Sequence, residues 1–120
     1  MYGRLAALFR SAFGYRRIRV LERTPSRLEL AYGKTITTLD KSSEKILKNS
    51  SLVGLFPVVR HVELHRPLNP EGPPNWFITV HLTGGRQVEV GQSSDEMEAS
   101  EIAAHVSTVV GRPVVVGAVL

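Results

Sequence analysis

A chain of 120 residues with 42% hydrophobic and 22% charged side chains is long enough to bury one core and too short for two, which excludes wholesale disorder and fibrous repeats. The absence of cysteine removes disulfide scaffolds, thiolate nucleophiles and Cys-ligated metal sites, and fits a reducing, cytoplasmic setting. The net charge of +4 is lopsided, because residues 1–60 hold 12 Lys/Arg against 4 Asp/Glu while residues 61–120 hold 3 against 7.

A basic half suits phosphate, anionic lipid or an acidic protein, besides its ordinary role in solubility. No apolar run reaches the roughly 18 to 20 residues that span a bilayer, and no secretory signal is legible. Residues 1–14 read as an appendage to a single domain over 15–120. At 100° per residue, Tyr2, Leu5, Ala6, Phe9, Ala12 and Phe13 gather within about 120° of arc, and Arg4 and Arg10 lie outside it. No acid precedes Glu22, and Arg16 and Arg17 follow at once, so the polar side of this expected amphipathic helix is purely cationic. Three readings stand. The helix packs on its own domain; or it lies on an anionic membrane or protein partner through Leu5, Phe9, Phe13, Arg4, Arg10, Arg16 and Arg17; or it is an organelle-targeting presequence.

From Arg17 the hydrophobic period changes to two. Ile18 and Val20 alternate with Arg17 and Arg19, and Leu28, Leu30 and Tyr32 alternate with Arg27, Glu29 and Ala31; Ile36 opens a Thr-rich run to Leu39. Thr24-Pro25-Ser26 and Gly33-Lys34 supply turns, so an antiparallel meander is expected. Residues 40–56 leave two alternatives open, a short helical turn capped by Asp40 and Ser42 or a long Lys-bearing loop, with 52–56 dropping side chains into the core. Asn49-Ser50-Ser51 matches a glycosylation acceptor, read as chance.

The clearest pair is 58–65 with 75–82. Facing Val62 with Val80 and Leu64 with Ile78 makes one face apolar and sets His61 opposite His81 and Arg66 opposite Trp76. Residues 67–74, four prolines among them, read as a stiff exposed loop. Thr83-Gly84-Gly85 gives a three-residue turn that keeps Val80 and Val88 on one face. Ser93 and Glu96 then have capping-box spacing, and Ala99, Ile102, Ala103, Val106, Val109 and Val110 trace the buried face of a helix stopped by Gly111 and Pro113. Residues 114–120 carry no charge and are expected to pair as a strand, within the domain or across a homo-oligomer interface.

Antiparallel strands, a Trp-bearing strand Asn75-Trp76-Phe77-Ile78-Thr79-Val80, a Gly84-Gly85 turn into Arg86-Gln87-Val88-Glu89-Val90, and a C-terminal helix through Glu101-Ile102-Ala103-Ala104 together resemble bacterial pleckstrin-homology-like domains over about 18–111. That resemblance implies a non-catalytic interaction module, often near membranes. The strand-like run after the helix and the lack of a clear fourth strand in the first half depart from the pattern.

His61, Glu63 and His65 share one side of a strand with His81 across from His61, a donor set suited to a divalent metal, although i and i+2 side chains stand about 6 to 7 Å apart. A polar solvent-facing sheet surface is the competing reading. His105 reads as a packing residue at the edge of the helix face. Phosphate-binding loops, nucleophile elbows and His-Glu-x-x-His are missing, and the polar face lacks the aromatic ladder of a nucleic-acid-binding sheet. The expectation is therefore an α+β fold, a strongly bent antiparallel sheet or partly open barrel closed by one C-terminal helix. It is read as a non-enzymatic interaction module without cofactor, with a small metal- or ligand-binding protein using His61, Glu63, His65 and His81 as the alternative.

Overall fold

The computed structural model describes residues 17–66 and 75–117. The expected helix over 1–14, the proline-rich loop over 67–74 and the end of the uncharged run at 118–120 lie outside the described residues. Within them the fold is α+β. Strands β1 (Arg19–Thr24), β2 (Arg27–Tyr32), β3 (Thr35–Asp40), β4 (Lys45–Lys48) and β5 (Ser51–Leu55) form one antiparallel sheet in sequence order. Strands β6 (Val59–His65), β7 (Trp76–Leu82), β8 (Gln87–Ser93) and β9 (Val114–Val116) form a second, ordered β8-β7-β6-β9, and helix α1 (Glu96–Val110) precedes β9.

Where the sequence suggests one strongly bent sheet or a partly open barrel, the strands form two sheets that are not closed into a barrel. They meet at two corners. The chain passes directly from β5 to β6 through a 3-10 turn at Phe56–Val58. At the other corner the Ile18 N–H donates to the Gln92 carbonyl at 3.3 Å. Ile18 is buried against Gly91, where an added Cβ would stand 2.7 Å from the tip of the Ile18 side chain, so a larger residue would require Ile18 to shift. The remaining opening is filled by α1, which packs on β2 and β3 of one sheet and on β6, β7 and β8 of the other.

All six residues expected on the buried helix face are buried. The cap differs. Asp95, not Ser93, accepts from the Met97 and Glu98 amides, at 2.9 and 3.3 Å, while Ser93 is buried and its hydroxyl donates to Glu98 Oε1 at 3.0 Å. Gly111, at φ 71°, ends the helix where expected.

The β6–β7–β8 register is the expected one, with Val62 opposite Val80, Leu64 opposite Ile78, His61 opposite His81 and Val80 opposite Val88. The Arg66 guanidinium sits 5.8 Å from the centre of the Trp76 ring. Val62, Leu64, Ile78, Val80, Val88, Ile102 and Val106 are buried in one cluster, and Trp76 packs on its margin.

Residues 40–56 are neither helix nor loop; they make two further hairpins. Asp40 Oδ1 accepts from the Ser42 amide at 3.0 Å and hydroxyl at 2.6 Å, folding the chain back into β4 instead of starting a helix. The Ser42 hydroxyl bond is the main cause that holds the half-buried Asp40 carboxyl below its ordinary 3.8, opposed by desolvation and helped by Ser43. The ionised carboxylate therefore favours the fold above pH 3.8, and that contribution fades as pH falls below it. Asn49 and Ser50, at φ 48° and 69°, form the mirror-image turn that suits a two-residue hairpin into β5. Asn49 Oδ1 also accepts from the Ile36 amide at 2.8 Å. Leu52 and Leu55 are exposed, correcting the expectation that 52–56 drops its side chains inward; of that stretch Gly54 and Phe56 are buried.

Two substitutions test the core in opposite directions. Ile102→Ala empties a buried position on the face of α1 that packs on both sheets and is expected to cost about 2 to 5 kcal/mol, read as a lower melting temperature. Thr37 is 1% exposed, and its hydroxyl has no hydrogen-bond partner among the described residues. Because an unpaired buried hydroxyl costs about 1 to 3 kcal/mol, Thr37→Val is expected to raise the melting temperature.

Candidate functional site

Two polar constellations stand out. The first is the outer face of β6 and β7, where strand parity brings His61, Glu63, His65 and His81 to one side as the sequence predicts. The His61 and His81 rings stack with centroids 4.5 Å apart and planes 17° from parallel. His81 Nε2 lies 3.1 Å from Glu63 Oε1; since a carboxylate only accepts, that nitrogen carries the proton. His65 tilts toward Phe77, with ring centroids 6.4 Å apart. Gly117 closes over the other side of the pair, where a Cβ would lie 3.0 Å from His65 Nδ1 and 3.1 Å from Glu63 Oε2.

Stacked rings offer faces, not converging lone pairs, and Glu63 is already engaged by His81. Among the described residues no three His, Asp or Glu side chains gather in a way that can hold a metal ion. The face is a half-buried polar surface knit by its own contacts.

The second constellation is the flank where β1 runs beside α1. Sequence periodicity puts Val20 inside, yet every residue of β1 is exposed, with Val20 at 44% and Leu21 at 45%. A bulge between Val20 and Glu22 breaks the alternation, and β1 is the edge of its sheet. Between it and the helix runs a groove of about 470 Å³, floored by Ile18, Val20 and Ile102 and walled by Arg19, Glu98 and Glu101.

Both ends of the groove are bridged. Arg17 Nε donates to Glu98 Oε2 at 2.8 Å, and Glu98 is itself fixed by the buried Ser93 hydroxyl. At the far end Arg23 Nη1 stands 2.6 Å from His105 Nε2, with Glu101 Oε1 3.8 Å from the same nitrogen. A guanidinium only donates, so His105 Nε2 accepts here. The packing role expected of His105 was incomplete, because its helical position says nothing of an arginine on a strand 82 residues earlier.

Of the surface residues named from the sequence, Leu5, Phe9, Phe13, Arg4, Arg10 and Arg16 lie outside the described residues. Arg17 lies at the mouth of the groove, which is where the described chain begins. No helix among the described residues is long and apolar enough to cross a membrane. Comparison with protein-family models, with curated proteins and with solved structures returns no match.

Zinc titrated into the protein at neutral pH is expected to give no stoichiometric binding heat. Binding abolished by His61→Ala and by His81→Ala would instead establish a site on that face.

Proposed function

We propose that the protein is a non-enzymatic interaction module that attaches through its β1 flank to an anionic membrane surface. The observation that carries this reading is the exposure of β1. It presents Arg19, Val20 and Leu21 at a sheet edge, and the acid-free segment 1–14 joins the fold on that same flank through Arg17. Aliphatic side chains beside cations suit a headgroup layer, where each arginine near an anionic surface adds about 1 kcal/mol. Two of the flank's cations are partly committed to α1, Arg17 to Glu98 and Arg23 to His105, so the attraction left over is modest. Membrane attachment then needs the apolar side chains Leu5, Phe9 and Phe13 together with Arg4, Arg10, Arg16 and Arg19. A binding role is also what the resemblance of the sequence to pleckstrin-homology-like domains implies.

The test is sedimentation with vesicles of phosphatidylcholine, with and without phosphatidylglycerol. The full chain is expected to pellet only with the anionic vesicles, less so as salt is raised. Arg19→Glu combined with Leu21→Asp weakens that association without lowering the melting temperature. A chain beginning at Tyr15 loses it while still unfolding cooperatively. A full chain that ignores anionic vesicles at low salt would transfer the role of the flank to a protein partner.

A further inference from the structure

We infer that two copies of this chain pair antiparallel along β9, about a two-fold axis through Val115, so that the two four-stranded sheets become one. Strand β9 lies parallel to β6, with Val62 opposite Val114, Glu63 opposite Val115 and Leu64 opposite Val116. The Val62 N–H donates to the Pro113 carbonyl at 2.9 Å, and the Gly117 N–H donates to the Leu64 carbonyl at 2.8 Å. Residues 113, 115 and 117 therefore turn their backbone groups toward β6, and alternation turns those of Val114 and Val116 outward. No described strand meets them.

The outward groups are complementary to themselves. Setting Val114 opposite Val116 of a second copy, and Val116 opposite its Val114, satisfies both residues in hydrogen-bonded pairs on either side of the axis. Any charge near a two-fold axis faces its own like, and β9 carries none; Val115 would meet only Val115.

The other three sheet edges are protected. On β1 there are a bulge and charged residues; on β8, Glu89 and the bond from Ile18 to Gln92; and on β5, Arg86 Nη2 donates to the Val53 carbonyl at 2.8 Å. Strand β9 has no such device among the described residues, and Val115 and Val116 are 44% and 65% exposed. Three residues of edge cover far less than the roughly 800 Å² per partner of a standard interface, so the dimer is weak and concentration-dependent.

The absence of cysteine from the chain makes the test direct. Val115 pairs with its own copy at the closely spaced, non-hydrogen-bonded position, where Cα atoms stand about 4.5 Å apart and a disulfide fits. Val115→Cys is expected to form covalent dimers under mild oxidation much faster than Leu52→Cys, an exposed control on the other sheet. Sedimentation equilibrium of the unmodified chain over a wide concentration range is expected to show a monomer–dimer equilibrium, and Val115→Lys, which opposes two ammonium groups at the axis, to shift it to monomer. A chain monomeric throughout, equal cross-linking at 52 and 115, or a dimer undisturbed by Val115→Lys at unchanged melting temperature would each overturn the inference.

Discussion

Two sheets that meet at two corners without closing leave their apolar faces open along one side, and the buried face of α1 is what covers them. Ala99, Ile102, Ala103, Val106, Val109 and Val110 are spaced at helical period and are all buried, so one turn after another fills the gap between β2–β3 and β6–β8. The outer face of the second sheet carries His61, Glu63 and His81, so its apolar side chains turn inward, where α1 and the first sheet cover them. Leu28, Leu30 and Leu39 from the first sheet and Val62, Ile78 and Val80 from the second thus share their burial with the helix, and each sheet's stability depends on the same element.

The charge asymmetry of the sequence takes a physical form at the flank of that helix. Acids sit at the start of α1, where they favour the helix dipole, and the basic strand β1 lies across from them. The partly buried Glu98 ties three elements together, accepting from Ser93 at the end of β8 and from Arg17 before β1. Exposed ion pairs contribute little to stability, usually less than about 1 kcal/mol. Their larger effect is to fix where β1 runs and therefore which of its side chains, Arg19, Val20 and Leu21, remain outward.

Legibility in the sequence followed how strongly the alternation or helical period is enforced by burial. The register of β6, β7 and β8 and the whole face of α1 could be read because each places apolar residues against a fully buried layer. The reading failed in part at β1: Ile18, just before it, is buried as the alternation expects, but Val20 lies exposed on a bulged edge strand, and bulges shift parity without a mark in the composition. It failed again over 40–56, where the signals were polar: an Asp40-Ser42 turn resembles a helix cap, and Asn49-Ser50 resembles a modification site while serving as a hairpin turn. The candidate site divided the same way. Strand parity placed His61, Glu63, His65 and His81 on one face, but the stacking of two rings and the bond from His81 to Glu63 depend on rotamers that spacing does not encode. The contacts of Arg17 with Glu98 and of Arg23 with His105 join residues about 80 positions apart and have no local signal.

The position of β9 depends on how α1 ends. A strand parallel to β6 needs a long crossover, and β7, β8 and α1 supply it. Gly111 in the left-handed region turns the chain out of the helix, its N–H closing on the Ser107 carbonyl at 2.8 Å. Arg112 then donates from Nε to the Val59 carbonyl at 2.9 Å, which pins the outgoing chain to the first residue of β6. Two residues later Val114 lies opposite Val62, in a register set by the helix cap and that single arginine. The valines themselves are interchangeable along the run and specify no register. A glycine and an arginine outside the strand thus decide which backbone groups of the uncharged segment are paired within the domain and which face outward.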